Sequence, residues 1–534
     1  MQPPQSENYR MKRIITISTS SLLVLLLWAC GGLVPSVHAQ DMQAEMVLTL
    51  DEAIQIALVE NFALKNVRLE REDALSQIKG GWVELFPKID VNSSYTRNVK
   101  SANPFAGSDA GGLFETLGFM NWLAFNEQAR TDNDASSNPI TIAEYFNRIQ
   151  AGYANAGIES SNSDNPFSVP NVYANSLTIN QKVFDGRAIM GAYGASKWLK
   201  PFNEQAVSRE EQKLINQVKT SWFGILLLME QESVLAQTVE RSSRTLAEVS
   251  RQVSQGVAPK FQRLSAEVEL ANQETQLLQA KTNSATAIDN LKLLLAIPSS
   301  VVVQVRGGLE TNIQEAKLST SAEDSKIMAL EKRPDLAQAF ISIELEKIQL
   351  KVTKVEFLPT LDAFANFSYL GSVPDNRQVV RAAANDPFSF TKTTRNYFDD
   401  SYWNRATNVG FKLTWNLFNG FASKQRVEQR KIAIQQAENN TEFLAQAIGL
   451  EVDQSIRNLR AAQSRMVSQK KNVERAELNF EYAESRLKEG VATPLEVREA
   501  SNQLDQSKLG YLQAVHDLLV ARSTYDMAIG QSSN

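Results

Sequence analysis

The most informative stretch of this sequence reads Val409-Gly410-Phe411-Lys412-Leu413-Thr414-Trp415-Asn416-Leu417-Phe418-Asn419-Gly420. Apolar residues alternate with polar or small ones from Val409 to Leu417, which predicts a β-strand with one apolar and one polar face. The strand is about ten residues long, the length of a tilted strand that crosses a bilayer. A soluble antiparallel sheet with one buried face shows the same alternation, so both interpretations stay open at this point.

The same pattern occurs twice in the chain. Val183-Phe184-Asp185-Gly186 precedes Leu417-Phe418-Asn419-Gly420 by 234 positions, and Gly256 precedes Gly490 by the same offset. Upstream, Pro87 and Pro359 close matching phrases at an offset of 272, so the first half carries an insertion of 38 residues. Matching offsets at several points indicate an internal duplication. The predicted units are a first repeat over 48–298, a linker over 299–324 and a second repeat over 325–530.

Each repeat has the same predicted order of a shorter helix, two strands, a long helix and a return helix. Pro87 and Pro359 end the shorter helices because proline cannot continue them. The strands are predicted near 88–98, 174–185, 360–370 and 407–418. The helices are predicted over 50–85, 187–255 and 261–295 in the first repeat, and over 326–357, 421–489 and 495–529 in the second.

The long helices have a coiled-coil pattern. Val473, Ala476, Phe480, Ala483 and Leu487 follow one another at steps of 3 and 4. This spacing is typical of helices that pack side by side in a coiled coil. Taken alone, the helices favour a coiled-coil scaffold.

Residues 1–39 are predicted to be a signal peptide. Arg10, Lys12 and Arg13 precede an apolar stretch over 14–27, which is shorter than the ~20 residues of a membrane-spanning helix. We expect cleavage after Ala39. The alternative is a lipoprotein signal, because Leu27-Trp28-Ala29-Cys30 resembles a lipobox and would make Cys30 a lipidated N-terminus.

Composition excludes several classes of function. The chain has 55 Lys and Arg and 60 Asp and Glu, which gives a net charge of −5. It therefore lacks the excess of basic residues that would indicate a nucleic-acid partner. After removal of the signal, the chain has no Cys and one His. We find no nucleophile–base pair, phosphate-binding loop or metal cluster. The sequence therefore predicts a protein that is not an enzyme and holds no cofactor or metal.

The export signal and the alternating strands together favour strands of an outer-membrane barrel. The predicted lipid-facing residues are Val409, Phe411, Leu413, Trp415 and Leu417. Four strands cannot close a barrel, because the smallest have eight, and open edges do not occur in lipid. The chain is therefore expected to oligomerise. Its helices would lie in the periplasm, and the long polar loops over 99–170 and 371–405 would lie outside the cell.

With its duplicated order of elements, the sequence resembles the TolC family of outer-membrane efflux proteins. Leu417-Phe418-Asn419-Gly420 and Arg486-Leu487-Lys488-Glu489-Gly490-Val491-Ala492-Thr493 are similar to family motifs. The resemblance covers nearly all of the mature chain. It implies an α+β membrane protein: a homotrimer with a 12-stranded transmembrane β-barrel, four strands per chain, continuous with a periplasmic α-helical barrel. It also implies an exit duct that works with a periplasmic adaptor protein and an inner-membrane transporter.

The resemblance further implies an aperture at the periplasmic end. Family members narrow this end with acids at the positions of Glu496 and Glu499, which their spacing places on one helix face. A threefold ring of these carboxylates would favour cations. Acids in a first helical turn also stabilise the helix dipole, which is the alternative role.

The turns between the long and return helices are the predicted adaptor contacts. The residues are Gly256, Val257, Pro259, Gly490, Val491, Thr493 and Pro494. Glycine and proline also serve ordinary turn geometry there, without any partner.

Two alternatives to an efflux duct stay open. The same architecture serves the outer-membrane component of type I protein secretion. From a different class, the chain is a coiled-coil envelope scaffold that does not conduct.

Overall fold

The structure is a computed structural model that describes residues 45–100, 111–134, 137–158, 169–311, 313, 321–489 and 491–531. The predicted signal peptide over 1–39, with Cys30, lies outside the described residues, and so does Gly490. Part of the predicted linker over 299–324 lies outside them as well.

Eleven α-helices and eight β-strands make up the described part of the chain. The strands are β1 (Glu45–Leu48), β2 (Lys88–Arg97), β3 (Asn171–Phe184), β4 (Val302–Val305), β5 (Thr360–Val373), β6 (Gln378–Ala383), β7 (Asp386–Thr394) and β8 (Trp403–Thr414). The helices are α1 (Leu50–Glu60), α2 (Phe62–Val83), α3 (Gly111–Thr131), α4 (Ile142–Asn155), α5 (Gly186–Gly194), α6 (Lys200–Ser254), α7 (Lys260–Leu294), α8 (Ala322–Lys332), α9 (Pro334–Lys354), α10 (Ala422–Lys488) and α11 (Pro494–Ala528).

Four long strands form one antiparallel sheet in the order β2-β3-β5-β8. The first repeat contributes the pair β2–β3 and the second contributes β5–β8, while β3 and β5 join the repeats. In the described protomer, β2 and β8 therefore each have one edge without a strand partner. Two small sheets are separate from it: a parallel pair, β1 and β4, and an antiparallel hairpin, β6 and β7.

The last strand of the sheet differs from the predicted range 407–418. It begins at Trp403 and ends at Thr414, which pairs with Thr360. Pro359 precedes Thr360 and has no N–H to donate, so the ladder stops there. Trp415 and Leu417 consequently lie after the strand, on the connection to α10.

The shorter helices expected over 50–85 and 326–357 are each broken in two. The side chain of Asn61 accepts a hydrogen bond from the Leu64 N–H and begins α2, which separates it from α1. Pro334 is the first residue of α9, and it fits there because the N–H it lacks has no intrahelical partner at that position. Neither break was predicted from the sequence, because the helical pattern continues across both positions.

The first long helix contains one irregular turn. A π-helical turn over Ala195–Leu199 separates α5 from α6, and Pro201 is the second residue of α6. The ring of Pro201 crowds the carbonyl of Lys197, and its nitrogen cannot donate, so the regular bonding pattern fails there. The helix expected over 187–255 is therefore α5, the π turn and α6. Its counterpart in the second repeat, α10, is continuous over 67 residues.

The long helices pack side by side in the order α7-α6-α11-α10. The main core lies where the two repeats meet and includes Trp222, Leu291, Ile448, Leu459 and Tyr525, all fully or nearly fully buried. Strand β1 pairs with β4 beside this core and joins the start of the first repeat to its end. The edges of the helical layer are α7 and α10, as β2 and β8 are the edges of the sheet.

The segments expected as polar loops over 99–170 and 371–405 contain regular structure. The first carries α3 and α4, and the second carries the hairpin β6–β7. The two segments pack together through aromatic rings: Phe388 of β7 lies 5.2 Å from Phe125 and 5.6 Å from Tyr145 between ring centroids. Gly152 permits this approach, because a Cβ there would lie 2.0 Å from the Phe388 carbonyl oxygen. The two segments are rich in Asn, Ser, Gly and Asp, which is typical of loops, so the sequence did not predict these contacts.

A buried ionic network joins the repeats beside the core. Arg333, only 3% exposed, donates to Asp335 at 2.6 Å and to Glu451 at 2.5 Å. Arg209 of α6 lies 3.4 Å from the same Asp335 carboxylate. Burial alone raises the pKa of Asp335, but the hydrogen bonds from Arg333 and the charge of Arg209 outweigh it and leave the pKa below its ordinary value.

We expect Arg333→Met to lower the free energy of unfolding by about 1–3 kcal/mol, because the half-buried carboxylates of Asp335 and Glu451 lose the hydrogen bonds that Arg333 donates to them. Thermal and urea unfolding of the purified protein, followed by circular dichroism, measures this loss. Arg130→Met is the control: Arg130 makes an exposed pair with Glu127, so its loss changes stability by less than about 1 kcal/mol.

The same network predicts a pH dependence. Since the folded pKa of Asp335 is lowered, its contribution is present above the unfolded pKa and is lost as pH falls through the folded value. Arg333→Met flattens this acid limb of the stability curve. Equal unfolding free energies for Arg333→Met and the wild type at neutral pH would contradict the assignment.

Candidate functional site

One face of the four-stranded sheet is largely apolar in its lower rows. The pairing register aligns Ile89, Ile179, Ala365 and Val409 in one row, and Val91, Leu177, Phe367 and Thr407 in the next. Within the protomer these side chains are not buried in a core: Val409 is 73% exposed and Phe411 is 74% exposed. An apolar surface of this extent on a single chain marks a contact with lipid or with another protein.

The opposite face of the sheet is polar. Its rows align Asp90, Thr178, Asn366 and Asn408, and then Asn92, Ser176, Ser368 and Ala406. Side chains of a strand point alternately to the two faces of a sheet. Apolar and polar residues alternate along these strands, so the sheet has one largely apolar face and one polar face.

The predicted lipid-facing residues divide into two groups. Val409, Phe411 and Leu413 lie in β8 on the apolar face, and all three are exposed. Trp415 and Leu417 lie beyond the strand and are also exposed. The indole N–H of Trp415 donates to the Phe357 carbonyl oxygen at 3.1 Å, so its ring lies where the sheet meets the helices.

At the far end of the helices, two turns have matching geometry. The Val257 N–H donates to the Gln252 carbonyl, and the Val491 N–H donates to the Arg486 carbonyl, five residues back in each case. Gly256 has a φ of +77°, a left-handed conformation that glycine adopts without strain. Val257 and Val491 are 77% and 65% exposed. Each protomer thus presents two similar tips with an apolar residue outward.

The return helices begin directly after these tips. Pro259 precedes α7, and Pro494 is the first residue of α11. Thr493 and Glu496 form a capping box, in which each side chain binds the backbone N–H of the other residue. Backbone and hydroxyl hydrogen bonds from Thr493 lower the pKa of Glu496. Glu496 therefore has the capping role, and Glu499, one turn further on, is exposed.

A polar cluster ties the two hairpins together part-way along the helices. Arg241 of α6 donates to the carboxylate of Asp505 in α11 and, at 3.2 Å, to the hydroxyl of Ser501. Thr238 donates to the second oxygen of Asp505 at 2.9 Å. Arg241 lies about 22 Å from the first tip, at 1.5 Å per helical residue. These side chains fix the first-repeat hairpin against the second-repeat hairpin.

The sequence analysis did not identify this tie. The available signal was Asp505 itself, an acid directly after Leu504 on the buried stripe of α11. A charge at such a position requires a partner, because an unpaired buried carboxylate is costly. The identity of that partner depends on the packing of α6 against α11, which sequence spacing within one helix does not reveal.

Within the described residues, no helix has the length and apolar character needed to cross a membrane. The same residues contain no group of three His, Cys, Asp or Glu side chains arranged to hold a metal ion.

Two segments of the chain match a known protein family. Residues 148–296 and 327–531, more than half of the chain, match the family described as outer membrane efflux protein. The chain belongs to the outer membrane efflux protein family. The first matched segment lies within the predicted first repeat, and the second covers nearly the same residues as the predicted second repeat. This membership confirms the resemblance to the TolC family. No curated protein matches the chain.

Several solved structures share the fold. CusC, described for conformational changes that accompany folding and transmembrane channel formation, is 16% identical with a TM-score of 0.63, covering 90% of this chain and 92% of that one. The CmeC outer membrane channel of Campylobacter jejuni is 15% identical, with a TM-score of 0.61 and coverages of 91% and 87%. The outer membrane protein VceC of Vibrio cholerae is 14% identical, with a TM-score of 0.61 and coverages of 90% and 96%.

Membership of the efflux family fixes the broad function. The protein is an outer-membrane efflux channel whose helical part lies in the periplasm. Members of the family are passive channels, so the expectation that this chain is not an enzyme is confirmed.

We expect Asp505→Asn to loosen the tie between the hairpins. Hydrogen bonds to charged groups contribute about 1.5–3 kcal/mol, so amide exchange over 236–243 and 501–508 should become about tenfold faster or more. Hydrogen–deuterium exchange with mass spectrometry measures this. Glu240→Gln is the matched control, because Glu240 is exposed on the same turn of α6 and pairs only locally with Arg244. Equal acceleration in both variants would show that the cluster does not join the hairpins.

Proposed function

We propose that three copies of this chain form one continuous duct, a 12-stranded barrel in the outer membrane above a periplasmic barrel of helices. We further propose that the duct is the exit channel of a tripartite efflux system. In that system it joins a periplasmic adaptor protein and an inner-membrane transporter. The observation that carries this proposal is the pair of open edges, β2 and β8, on a sheet with an exposed apolar face.

Open strand edges require partners in a membrane. Unpaired N–H and C=O groups cost several kcal/mol each in hydrocarbon, so a lipid-embedded sheet must close on itself. Four strands are too few, and eight leave an interior filled by side chains. Three copies supply twelve strands, which is the smallest multiple that leaves a wide aqueous lumen. The polar face of the sheet then lines that lumen, and Val409, Phe411 and Leu413 face lipid.

The helical layer has matching open edges. Edge helix α7 exposes Phe261, Leu264, Val268, Leu278 and Leu293, all at least 56% accessible. Edge helix α10 exposes Phe443, Leu450, Val467, Leu478 and Tyr482, all at least 50% accessible. We call these two sets of exposed apolar residues the seams. They lie on α7 and α10, the helices that an adjacent copy would contact. Packing α10 of one copy against α7 of the next buries both and closes the tube.

The hairpin tips are the proposed adaptor contacts. Two tips per chain present six similar surfaces in a trimer, each with an exposed valine beside a tight turn. The proposed contact residues are Val257 and Val491 with the flanking Gly256, Pro259, Gly490, Thr493 and Pro494. An adaptor that binds there meets nearly equivalent sites around the whole ring. Cross-linking at position 257 in cells, followed by identification of the attached protein, tests this and names the transport system.

The acids after the second tip are the proposed aperture. Glu499 is exposed one turn beyond Glu496, and the threefold axis would bring six carboxylates together. The lowered pKa of Glu496 keeps it charged into mildly acidic conditions. The corresponding residues after the first tip are Gln262 and Ser265, so only the second repeat supplies the charge.

We expect Phe443→Glu and Leu278→Glu each to convert trimers into monomers, since each places a charge in the seam between copies. Mass photometry of detergent-purified protein measures the assembly. Val257→Glu is the control, because its exposed side chain lies at a tip and away from the seam; it retains the trimer. Trimers in both seam variants would refute this interface. A monomeric wild type without conductance in planar bilayers would favour the scaffold alternative.

We expect Glu499→Gln combined with Glu496→Gln to weaken block by Mg²⁺ and to raise the conductance measured in its presence. Glutamine preserves the capping box at position 496, so the change removes charge and leaves the helix start intact. Planar-bilayer recording gives the half-blocking concentration, which should rise several-fold. Unchanged block in the double variant would locate the cation site elsewhere.

A further inference from the structure

Above the apolar rows, the same face of the sheet carries a row of aromatic rings. Tyr95 stacks on Tyr173 with centroids 4.9 Å apart, and Tyr173 stacks on Trp403 at 5.4 Å. Trp403 also stacks on Tyr369 at 4.8 Å and an interplanar angle of 18°. The rings come from all four strands. In an outer-membrane barrel, aromatic residues of this kind lie at the boundary between hydrocarbon and headgroups.

A covering segment extends this aromatic cluster outward. Tyr397 hydrogen-bonds through its hydroxyl to the hydroxyl of Tyr173, and its carbonyl accepts the indole N–H of Trp403 at 2.9 Å. Phe398 stacks on Trp403 and remains 69% exposed. We call the rings of Tyr95, Tyr173, Tyr369, Tyr397, Phe398 and Trp403 the outer aromatic cluster.

Two arginines lie on the outer aromatic cluster. The guanidinium of Arg405 is 5.7 Å from the ring centre of Tyr369, its direct partner across the strands, and that of Arg377 is 5.7 Å from the ring centre of Tyr397. In the described part of the chain, neither arginine has a carboxylate within 4 Å. By contrast Arg97, at the other edge of the sheet, forms a salt bridge with Asp375 at 3.0 Å.

The position of Arg405 is informative because of the row it occupies. It shares its direction with Thr407, Val409 and Phe411, since no bulge interrupts the pairing of β8 with β5. A cation thus faces outward on the membrane side, directly between the apolar rows and the aromatic row. A guanidinium at headgroup depth has both of its preferred neighbours there: an aromatic face and a lipid phosphate.

We propose that Arg377 and Arg405, held on the outer aromatic cluster, bind the phosphate groups of a phosphorylated lipid in the outer leaflet. This rests on the proposed function, because it requires the apolar face of the sheet to face lipid. Arginine binds phosphate with two parallel N–H donors, and the rings fix each guanidinium so that less conformational entropy is lost on binding. The exposed ring of Phe398 lies beside the acyl chains.

The charge pattern favours a lipid phosphate over other occupants. A protein partner would need to place carboxylates at headgroup depth, which is the position of the phosphate groups of phospholipids. A free phosphate ion would need a pocket that excludes water, whereas Arg405 is exposed. An uncompensated cation in a membrane wall gains most from the anionic headgroup next to it.

The test uses the full-length trimer in nanodiscs of phosphatidylethanolamine with either diphosphorylated lipid A or the same lipid after enzymatic removal of both phosphates. Lipid retained after extraction into detergent is counted by mass spectrometry. The wild type should retain the phosphorylated form at least tenfold better. Arg377→Gln with Arg405→Gln should abolish that preference, and the corresponding lysine variant should keep part of it, because lysine preserves the charge.

The control is Arg130→Gln with Arg148→Gln, which removes two charges from the exposed ion pairs of α3 and α4 and should retain the preference. Equal retention of both lipids by intact wild-type trimers would overturn the lipid site alone. The lipid site alone would also be overturned if the glutamine variant kept the full preference, or if millimolar inorganic phosphate displaced the lipid. Failure of the wild type to insert as a trimer would overturn the proposed channel as well, and the mass of the particle distinguishes this outcome.

Discussion

The unsatisfied backbone at the two edges of the sheet is the constraint on which the rest of the structure depends. A strand edge in hydrocarbon has no water to bond its N–H and C=O groups, so a sheet with one lipid-facing side exists only as a closed ring. This protomer presents an exposed apolar side, with Phe411 74% exposed, and carries open edges on β2 and β8. Much of the apolar area that a soluble protein would bury internally is therefore exposed on the single protomer, and in the proposed trimer it faces lipid and neighbouring copies.

The shared order of elements in the two halves explains why both layers have open edges at corresponding places. Each repeat contributes two strands and a helical hairpin in the same order, and the repeats join through β3 with β5 and through α6 with α11. The elements left outermost are then β2 and α7 of one repeat, and β8 and α10 of the other. The buried Arg333 network and the core around Trp222 hold the junction between repeats. In the proposed trimer, contacts between copies would repeat the strand and helix pairings that join the two halves of one chain.

The sequence predicted those features that depend on local chemistry. Alternation located the apolar face around Phe411, Pro359 located a strand start, and Gly256 located a tip, because each is decided by a residue and its immediate neighbours. The features that it missed depend on packing. Trp403 starts β8 because it pairs with Gly371 across the strands, and Asp505 finds its partner on a helix more than 260 residues away. For the candidate site, the turn at Gly256 was predicted from the sequence, and the role of the tips as adaptor contacts stays a prediction. The tie and the arginines on the outer aromatic cluster depend on contacts between distant segments.

The distribution of buried side chains determines where the molecule can move. Large, fully buried residues such as Trp222, Ile448 and Tyr525 concentrate at the junction of the repeats. Toward the tips, small or polar residues such as Ala476, Ala500, Thr238 and Asp505 occupy many of the buried positions, and Val249 and Leu504 are the larger apolar residues among them. Because stabilisation scales with the apolar area buried, at about 25 cal/mol per Å², the distal helices have lower local stability than the junction. The polar tie lies in this weaker region, where a few directional bonds decide the spacing of the hairpins. Local opening is therefore expected to begin in the helices beyond the core, before the junction of the repeats is disturbed.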